Sequence, residues 1–78
     1  MNNLDKYIGA FTEAFGIDKG IVSGLQYQDI EEWDSVGHMR MIALVENEFD
    51  IMIDTDDMID FSSFEKGKEI LQKYDVCI

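Results

Sequence analysis

Residues 33–49, WDSVGHMRMIALVENEF, contain the clearest helical signal in the chain. Apolar residues recur there at intervals of three and four, which is the spacing of one face of an α-helix. Asp34 or Ser35 is placed to cap the start, because short polar side chains accept hydrogen bonds from the first N–H groups of a helix. The spacing predicts a helix over 35–49 whose apolar stripe is Val36, Met39, Ile42 with Ala43, Val45 with Glu46, and Phe49.

The chain before this helix divides into a second helix and a loop. Residues 4–15 carry an apolar stripe at helical spacing, with Asn2 or Asn3 as the cap and Gly16 as the stop. Residues 17–34 contain interrupting glycines and scattered apolar side chains, including a tryptophan. They predict a long loop that packs on the core.

The chain after this helix predicts two further helices. The acidic residues 54–60 fit a short helix with Met58 and Ile59 turned inward. Ser62 and Glu65 form the capping-box pattern, which predicts that Ser62 caps a last helix.

Together these patterns predict an all-α fold, a small four-helix bundle of three main helices and a short third helix, with a long first loop. A chain of 78 residues is expected to form a single domain over 1–78. One cysteine and one histidine are too few for a disulfide or the usual zinc site. The acids from Asp54 onward fail the EF-hand spacing, because Met58 and Ile59 stand where a ligand and the turn glycine belong. We expect no metal site.

The negative charge of the chain is concentrated in one segment. Residues 29–60 hold 11 of the 17 acidic residues and only one of the six basic residues, so they carry −10 of the net charge of −11. Such a segment attracts basic partner surfaces and opposes nucleic-acid binding. The alternative interpretation is a solvated surface that maintains solubility.

No membrane or secretion signal is visible in the sequence. No apolar run approaches the length that spans a bilayer, and the first residues lack the basic start and apolar stretch of a signal peptide. We therefore expect a cytoplasmic protein without a membrane span.

Ser35 stands between an acidic loop and the start of an apolar helix. Its hydroxyl is expected to be exposed at the positive end of the helix dipole, where backbone N–H groups favour an attached anion. The setting therefore suits a covalent phosphate-bearing group on Ser35.

The motif Asp34-Ser35-Val36 resembles the Asp-Ser-Leu signature of acyl carrier proteins. The similarity covers the long first loop, the acidic third helix and the closing helix, and within the second helix it runs through Met39, Ile42, Ala43, Glu46, Glu48 and Phe49. The resemblance implies that Ser35 carries a 4′-phosphopantetheine arm transferred from coenzyme A. The thiol of that arm holds an acyl or aminoacyl group as a thioester. A carrier of this kind is not itself an enzyme.

The resemblance also implies a set of partners. Asp34 would help to place a phosphopantetheinyl transferase and its metal, and Val36 would pack beside the arm. The other implied partners are an acyl- or aminoacyl-loading enzyme, and acyltransferases or synthases with basic docking surfaces. The carrier itself is expected to be a monomer. The expected partner-binding residues are Val36, Met39, Arg40, Glu46, Glu48, Asp54, Asp56 and Asp57.

Three positions depart from the pattern of fatty-acid carriers. Gly37 and Arg40 stand where those carriers usually have acids, and His38 replaces a small or polar residue. These departures indicate a different partner set, as in carriers of surface-polysaccharide, aminoacyl or other specialised pathways. His38 lies about one turn after Ser35, so it either contacts the phosphate of the arm or is an exposed polar residue.

Two other function classes compete with the carrier. An unmodified acidic interaction module, acting as a subunit or regulator, would share the fold but would not need Ser35 in its Asp-Ser-Val setting. A stand-alone enzyme would need a pair of catalytic groups at one site, and the sequence offers no such pair.

Overall fold

The computed structural model describes residues 2–78, which are mostly helical. The helices are α1 (Asn3–Phe15), α2 (Ser35–Phe49), α3 (Thr55–Asp60) and α4 (Phe64–Gln72), and a 3-10 turn, Lys19–Ile21, lies between α1 and α2. Within residues 2–78 there is no β-strand, only an isolated antiparallel bridge between Gln26 and Ser63. The all-α prediction is confirmed. None of the helices in these residues is long and apolar enough to cross a membrane.

The ends of α1 follow from two local interactions. The Asn2 side chain accepts a hydrogen bond from the Asp5 N–H at 2.8 Å. Gly16 has a φ of 64°, in the left-handed region that favours glycine, and its N–H bonds the Thr12 carbonyl. Both residues are local signals, and the helix therefore ends where the sequence predicts.

The predicted cap of the last helix is wrong by one residue. Ser63, not Ser62, precedes α4, and its Oγ accepts a hydrogen bond from the Lys66 N–H at 2.9 Å. The carbonyl of Ser62 instead accepts a hydrogen bond from the Tyr27 N–H at 2.9 Å, which joins the loop to this segment. The capping-box pattern selects Ser62, because Glu65 follows it by three residues whereas Lys66 follows Ser63. The pattern does not include the tertiary contact between Ser62 and Tyr27.

The core is built on aromatic rings from the loop and from both ends of the chain. Tyr7 and Phe11 of α1 meet edge to face with centroids 5.1 Å apart, and Phe15 stacks on Trp33 at 5.2 Å. Trp33 is fully buried, although it lies in the connection between α1 and α2. The prediction that this connection packs on the core is confirmed.

Tyr7 and Gly67 fix how α4 approaches α1. The Tyr7 hydroxyl donates a hydrogen bond to the Phe64 carbonyl at 2.6 Å. Burial, with the nearby charge of Glu65, holds the pKa of Tyr7 well above its usual range, so the phenol stays a donor. A side chain at Gly67 would overlap the Tyr7 hydroxyl and the Phe61 ring. At Gly67 the backbone of α4 therefore lies directly against the Tyr7 hydroxyl and the Phe61 ring.

The buried faces of α2 and α3 differ from the predicted ones. Val36 is 68% exposed, Met39 is 51% exposed and Ile59 is 74% exposed, whereas Met58 is half-buried against the core. The buried residues of α2 are Gly37, Met41, Ile42 and Val45. The loop covers the Gly37 side of the first turn, and the apolar side chains on the other sides of that turn therefore remain in solvent.

Candidate functional site around Ser35

Ser35 occupies the first position of α2, and its side chain is exposed. Asp34 caps the helix, because its Oδ1 accepts a hydrogen bond from the Gly37 N–H at 2.8 Å and its carbonyl accepts one from the His38 N–H at 2.8 Å. Within residues 2–78, the N–H groups of Ser35 and Val36 have no acceptor. The helix thus presents two backbone donors next to an exposed hydroxyl, which is the arrangement expected for an attached anion.

Gly37 is buried where the loop passes directly over α2. A Cβ atom at this position would overlap the carbonyl oxygen of Glu32 and lie 3.3 Å from Cε1 of Phe15. The glycine therefore has a packing role that the sequence pattern did not reveal. It brings the backbone of the loop against the turn that carries Ser35.

His38 is half-buried, so the interpretation of it as an exposed polar residue is wrong. Its Nδ1 accepts a hydrogen bond from the Trp33 indole N–H at 2.9 Å. Its Nε2 lies 2.8 Å from the Met58 carbonyl oxygen of α3. The ring therefore bridges the loop, α2 and α3 on the side of the helix next to Ser35.

An open apolar cavity of about 530 Å³ lies beside Ser35. Ser35, His38 and Met39 form its α2 wall, and α3 supplies the opposite wall. The remaining lining residues are Tyr27, Thr55, Met58, Ile59, Phe61 and Ser62. An apolar group attached near Ser35 has this cavity within reach, and its burial there would be favourable by about 25 cal/mol per Å² of apolar surface removed from water.

Val36 and Arg40 lie on a different side of α2 from Met39. They border a second, more polar groove of about 420 Å³ between the end of α1 and the start of α2, with Glu13 and Glu32 across it. The structure thus divides the predicted partner-binding residues of α2 between two neighbouring faces.

The predicted acidic docking residues do not lie together on one surface either. Asp54 and Asp56 are exposed at the start of α3. Glu48 is exposed but borders a small groove between α1 and α2. Glu46 is half-buried, and its carboxylate accepts a hydrogen bond from the Ile53 N–H at 2.9 Å. Glu46 thus holds the segment between α2 and α3 in place.

Asp57 does not lie on the exposed acidic surface. Only 6% of the residue is exposed, and its carboxylate accepts hydrogen bonds from Lys73 Nζ and from the Tyr74 hydroxyl, both at 2.6 Å. These two hydrogen bonds hold the pKa of Asp57 below its usual range. We therefore remove Asp57 from the predicted docking residues and assign it to the attachment of α3 to the C-terminal segment.

Three lining residues of the cavity were missed in the sequence. Tyr27 is an isolated aromatic residue between two glutamines in the loop, Thr55 begins α3, and Phe61 directly follows it. None of them belongs to a predicted helical stripe, which is why periodicity does not find them. An aromatic residue in an otherwise polar stretch of loop is the signal that indicates Tyr27.

The candidate site therefore consists of an exposed serine at a capped helix start, with an apolar cavity on one side and a polar groove on the other. Its parts come from the loop, from α2 and from α3. A scan of protein-family models and searches of curated proteins and of solved structures found no match for this chain.

Proposed function

We propose that this chain is a carrier protein of the acyl carrier type, with 4′-phosphopantetheine attached to Ser35. The proposal rests on one observation above all: Ser35 is an exposed hydroxyl at the first position of a 15-residue helix, on the wall of an apolar cavity. The resemblance of Asp34-Ser35-Val36 to the carrier signature adds the identity of the group. The proposal includes a four-helix bundle with a long first loop, acting as a cytoplasmic monomer.

The residues around Ser35 fit this group. Attachment forms a bond between Ser35 Oγ and the phosphorus next to the pantetheine of coenzyme A, while the bond to adenosine 3′,5′-bisphosphate breaks and the hydroxyl proton passes to the transferase. The unpaired N–H groups of Ser35 and Val36 favour the phosphate that results. Only one oxygen of Asp34 is engaged in the cap, which leaves the other for the transferase.

The attached group would supply a flexible arm whose thiol holds an acyl or aminoacyl group as a thioester. The chain's own contribution is to present that arm and to offer the apolar cavity beside it. A small acidic body also suits rapid and transient docking to enzymes with basic surfaces.

The proposed docking surface combines exposed apolar side chains with acids. Val36, Met39 and Ile59 are between 51% and 74% exposed. Asp54 and Asp56 lie at the start of α3. Exposed apolar residues bordered by charge are typical of transient protein contacts. The transferase, the loading enzyme and the acyltransferases or synthases would meet this surface.

The proposal of a specialised pathway now rests mainly on Arg40. Gly37 and His38 have packing roles, so they say little about partners. Arg40 is exposed and places a positive charge where fatty-acid carriers usually have an acid. With a malonyl group loaded, the chain should be a poor substrate for fatty-acid elongation enzymes, and Arg40→Glu should improve it. Parental turnover equal to that of a fatty-acid carrier would contradict this part of the proposal.

The test of attachment is the intact mass of the chain after incubation with coenzyme A, magnesium and a broad-specificity phosphopantetheinyl transferase. We expect the parent to gain the mass of one phosphopantetheine and Ser35→Ala to gain nothing. Ser62→Ala is the matched control, because Ser62 is also an exposed serine on the same cavity, and it should be modified like the parent.

Absence of any mass gain in folded parent protein would contradict the carrier proposal. The unmodified interaction module would then be favoured, since the exposed apolar and acidic surface does not depend on the modification.

A further inference from the structure

The Trp33–His38–Met58 bridge has one defined tautomer. The indole N–H of Trp33 can only donate, so Nδ1 of His38 must accept and the ring proton must reside on Nε2. Nε2 then donates to the Met58 carbonyl. The imidazole and indole planes differ by only 14°, which aligns the in-plane lone pair of Nδ1 with the indole N–H. The His38 ring thus connects the loop to α3 through two hydrogen bonds, one at each ring nitrogen.

This bridge is the connection between α3 and the Ser35 end of α2. Among residues 2–78, the His38 contact with Met58 is the only hydrogen bond that joins α3 itself to α2. The carbonyl of Met58 belongs to the helix that forms the far wall of the apolar cavity.

The helix held by this bridge has little support of its own. α3 has only six residues, and its N-cap, Asp54, makes no side-chain capping bond. Its other polar contacts, from Asp57 to Lys73 and Tyr74, fasten it to the C-terminal segment rather than to α2. A helix this short does not persist without tertiary contacts. Loss of the bridge should therefore free the cavity side of α3 while its other side stays attached.

We propose that the Trp33–His38–Met58 bridge is a latch that holds α3 over the apolar cavity, and that His38 is the positioning residue that sets how wide the cavity opens. It thereby limits the size of the apolar group that the cavity admits. The latch is a property of the unmodified chain. It rests on the proposed function only for the natural guest, which would be the acyl or aminoacyl group carried at Ser35.

Three variants separate the two hydrogen bonds of the latch. His38→Phe keeps an aromatic ring and removes both bonds. Trp33→Phe removes the indole donor but leaves the His38 contact with Met58, and it also removes part of a buried ring. His38→Gln carries an acceptor and a donor side by side on its amide, so it is the conservative variant that should restore part of the latch.

The first readout is amide hydrogen exchange of the unmodified protein, followed residue by residue by NMR. His38→Phe should accelerate exchange at residues 58–60 by about fivefold or more relative to the change in α1 and α4, with His38→Gln in between. The ¹⁵N chemical shifts of the His38 ring in the parent should show that the proton is on Nε2. Trp33→Phe should weaken the preference for this tautomer. Equal acceleration in all helices, or none in α3, would overturn the latch.

The second readout is binding of the neutral apolar dye N-phenylnaphthylamine, which avoids repulsion by the acidic surface. His38→Phe should bind the dye several-fold more tightly than the parent, and His38→Gln should fall between them. Unchanged or weaker binding by His38→Phe would contradict a latch that limits the cavity. Both readouts use protein without a group on Ser35. A negative result in them would therefore contradict the latch and not the carrier proposal. A failure to attach phosphopantetheine would contradict the carrier proposal and not the latch.

Discussion

Gly37 is the residue at which the loop and α2 come into direct backbone contact. Because a Cβ atom there would overlap the carbonyl oxygen of Glu32, Gly37→Ala must push the loop away from the turn that carries Ser35. We predict a loss of about 2 kcal/mol or more in the free energy of unfolding, since overpacking usually costs 1–3 kcal/mol and backbone atoms have little freedom to yield. Urea denaturation followed by circular dichroism measures this change.

Gly9→Ala is the matched control for that substitution. Gly9 is also a helical glycine, but it is exposed and a Cβ atom there would meet nothing within 4 Å. The control should be neutral or should stabilise the protein by up to about 1 kcal/mol, because alanine is the better helix former. Similar effects of the two substitutions would show that helix propensity, and not the contact with Glu32, governs Gly37.

Gly37 also shows why only part of the site could be predicted from the sequence. Asp34 and Ser35 could be predicted because caps act within one turn, and both the cap and the exposed serine are where the sequence places them. The environments of Gly37 and His38 could not, because they depend on Glu32, Trp33 and Met58, which reach them only through the tertiary fold.

Among the helices, α4 offers a direct comparison of two adjacent serines. Ser63→Ala removes the acceptor for the Lys66 N–H and should cost about 1 kcal/mol of stability. Ser62→Ala removes an exposed hydroxyl without a capping bond, so it should stay within about 0.5 kcal/mol of the parent. Thermal unfolding of the two variants under identical conditions decides the assignment, and a larger loss for Ser62→Ala would reverse it.

The attachment of α3 to the C-terminal segment predicts a pH dependence. Because hydrogen bonds from Lys73 and Tyr74 lower the pKa of Asp57 in the folded protein, this carboxylate stabilises the fold fully above its ordinary value of 3.8. Its contribution is lost as the pH falls from there towards the lowered pKa. Asp57→Asn should therefore be less stable than the parent near neutral pH, and the difference should shrink as the pH falls below about 4.

Asp56→Asn is the control for this measurement, because it removes one charge from the same helix and leaves the Asp57 pair intact. Asp56→Asn should still lose stability as the pH falls, because the hydrogen bonds of Asp57 with Lys73 and Tyr74 remain. Parallel stability curves for Asp57→Asn and the parent through the acid range would contradict the role assigned to Asp57.

The order of the helices and most of their ends could be predicted because each depends on local signals. The faces of α2 and α3 could not be predicted equally well. Val36, Met39 and Ile59 fit an apolar stripe, yet they are exposed, since periodicity counts apolar residues without knowing which side the loop will cover. Their exposure is also what makes them candidates for partner binding.

For the whole molecule, the main electrostatic feature is the uneven charge. Nine of the 11 acids in 29–60 are exposed, and the segment contains only one basic residue. Repulsion among exposed charges weakens as salt shortens the Debye length. We predict that the Tm rises with sodium chloride by about 5 °C, which for a domain of this size corresponds to about 1 kcal/mol.

A variant with less charge tests whether this segment is the source of the repulsion. The double variant Asp54→Asn with Asp56→Asn should show a smaller rise of Tm with salt than the parent, because both side chains are exposed and close together in the segment. A Tm that does not change with salt in the parent would contradict the repulsion itself.

The central claim, that Ser35 carries the group, is tested most directly by locating the modification. After incubation with transferase and coenzyme A, trypsin should release the peptide 20–40, which contains both Ser23 and Ser35 between Lys19 and Arg40. Fragmentation of this peptide by mass spectrometry assigns the added mass to one of the two serines. The carrier proposal predicts that all of it lies on Ser35, whereas modification at Ser23, or none in this peptide, would contradict it.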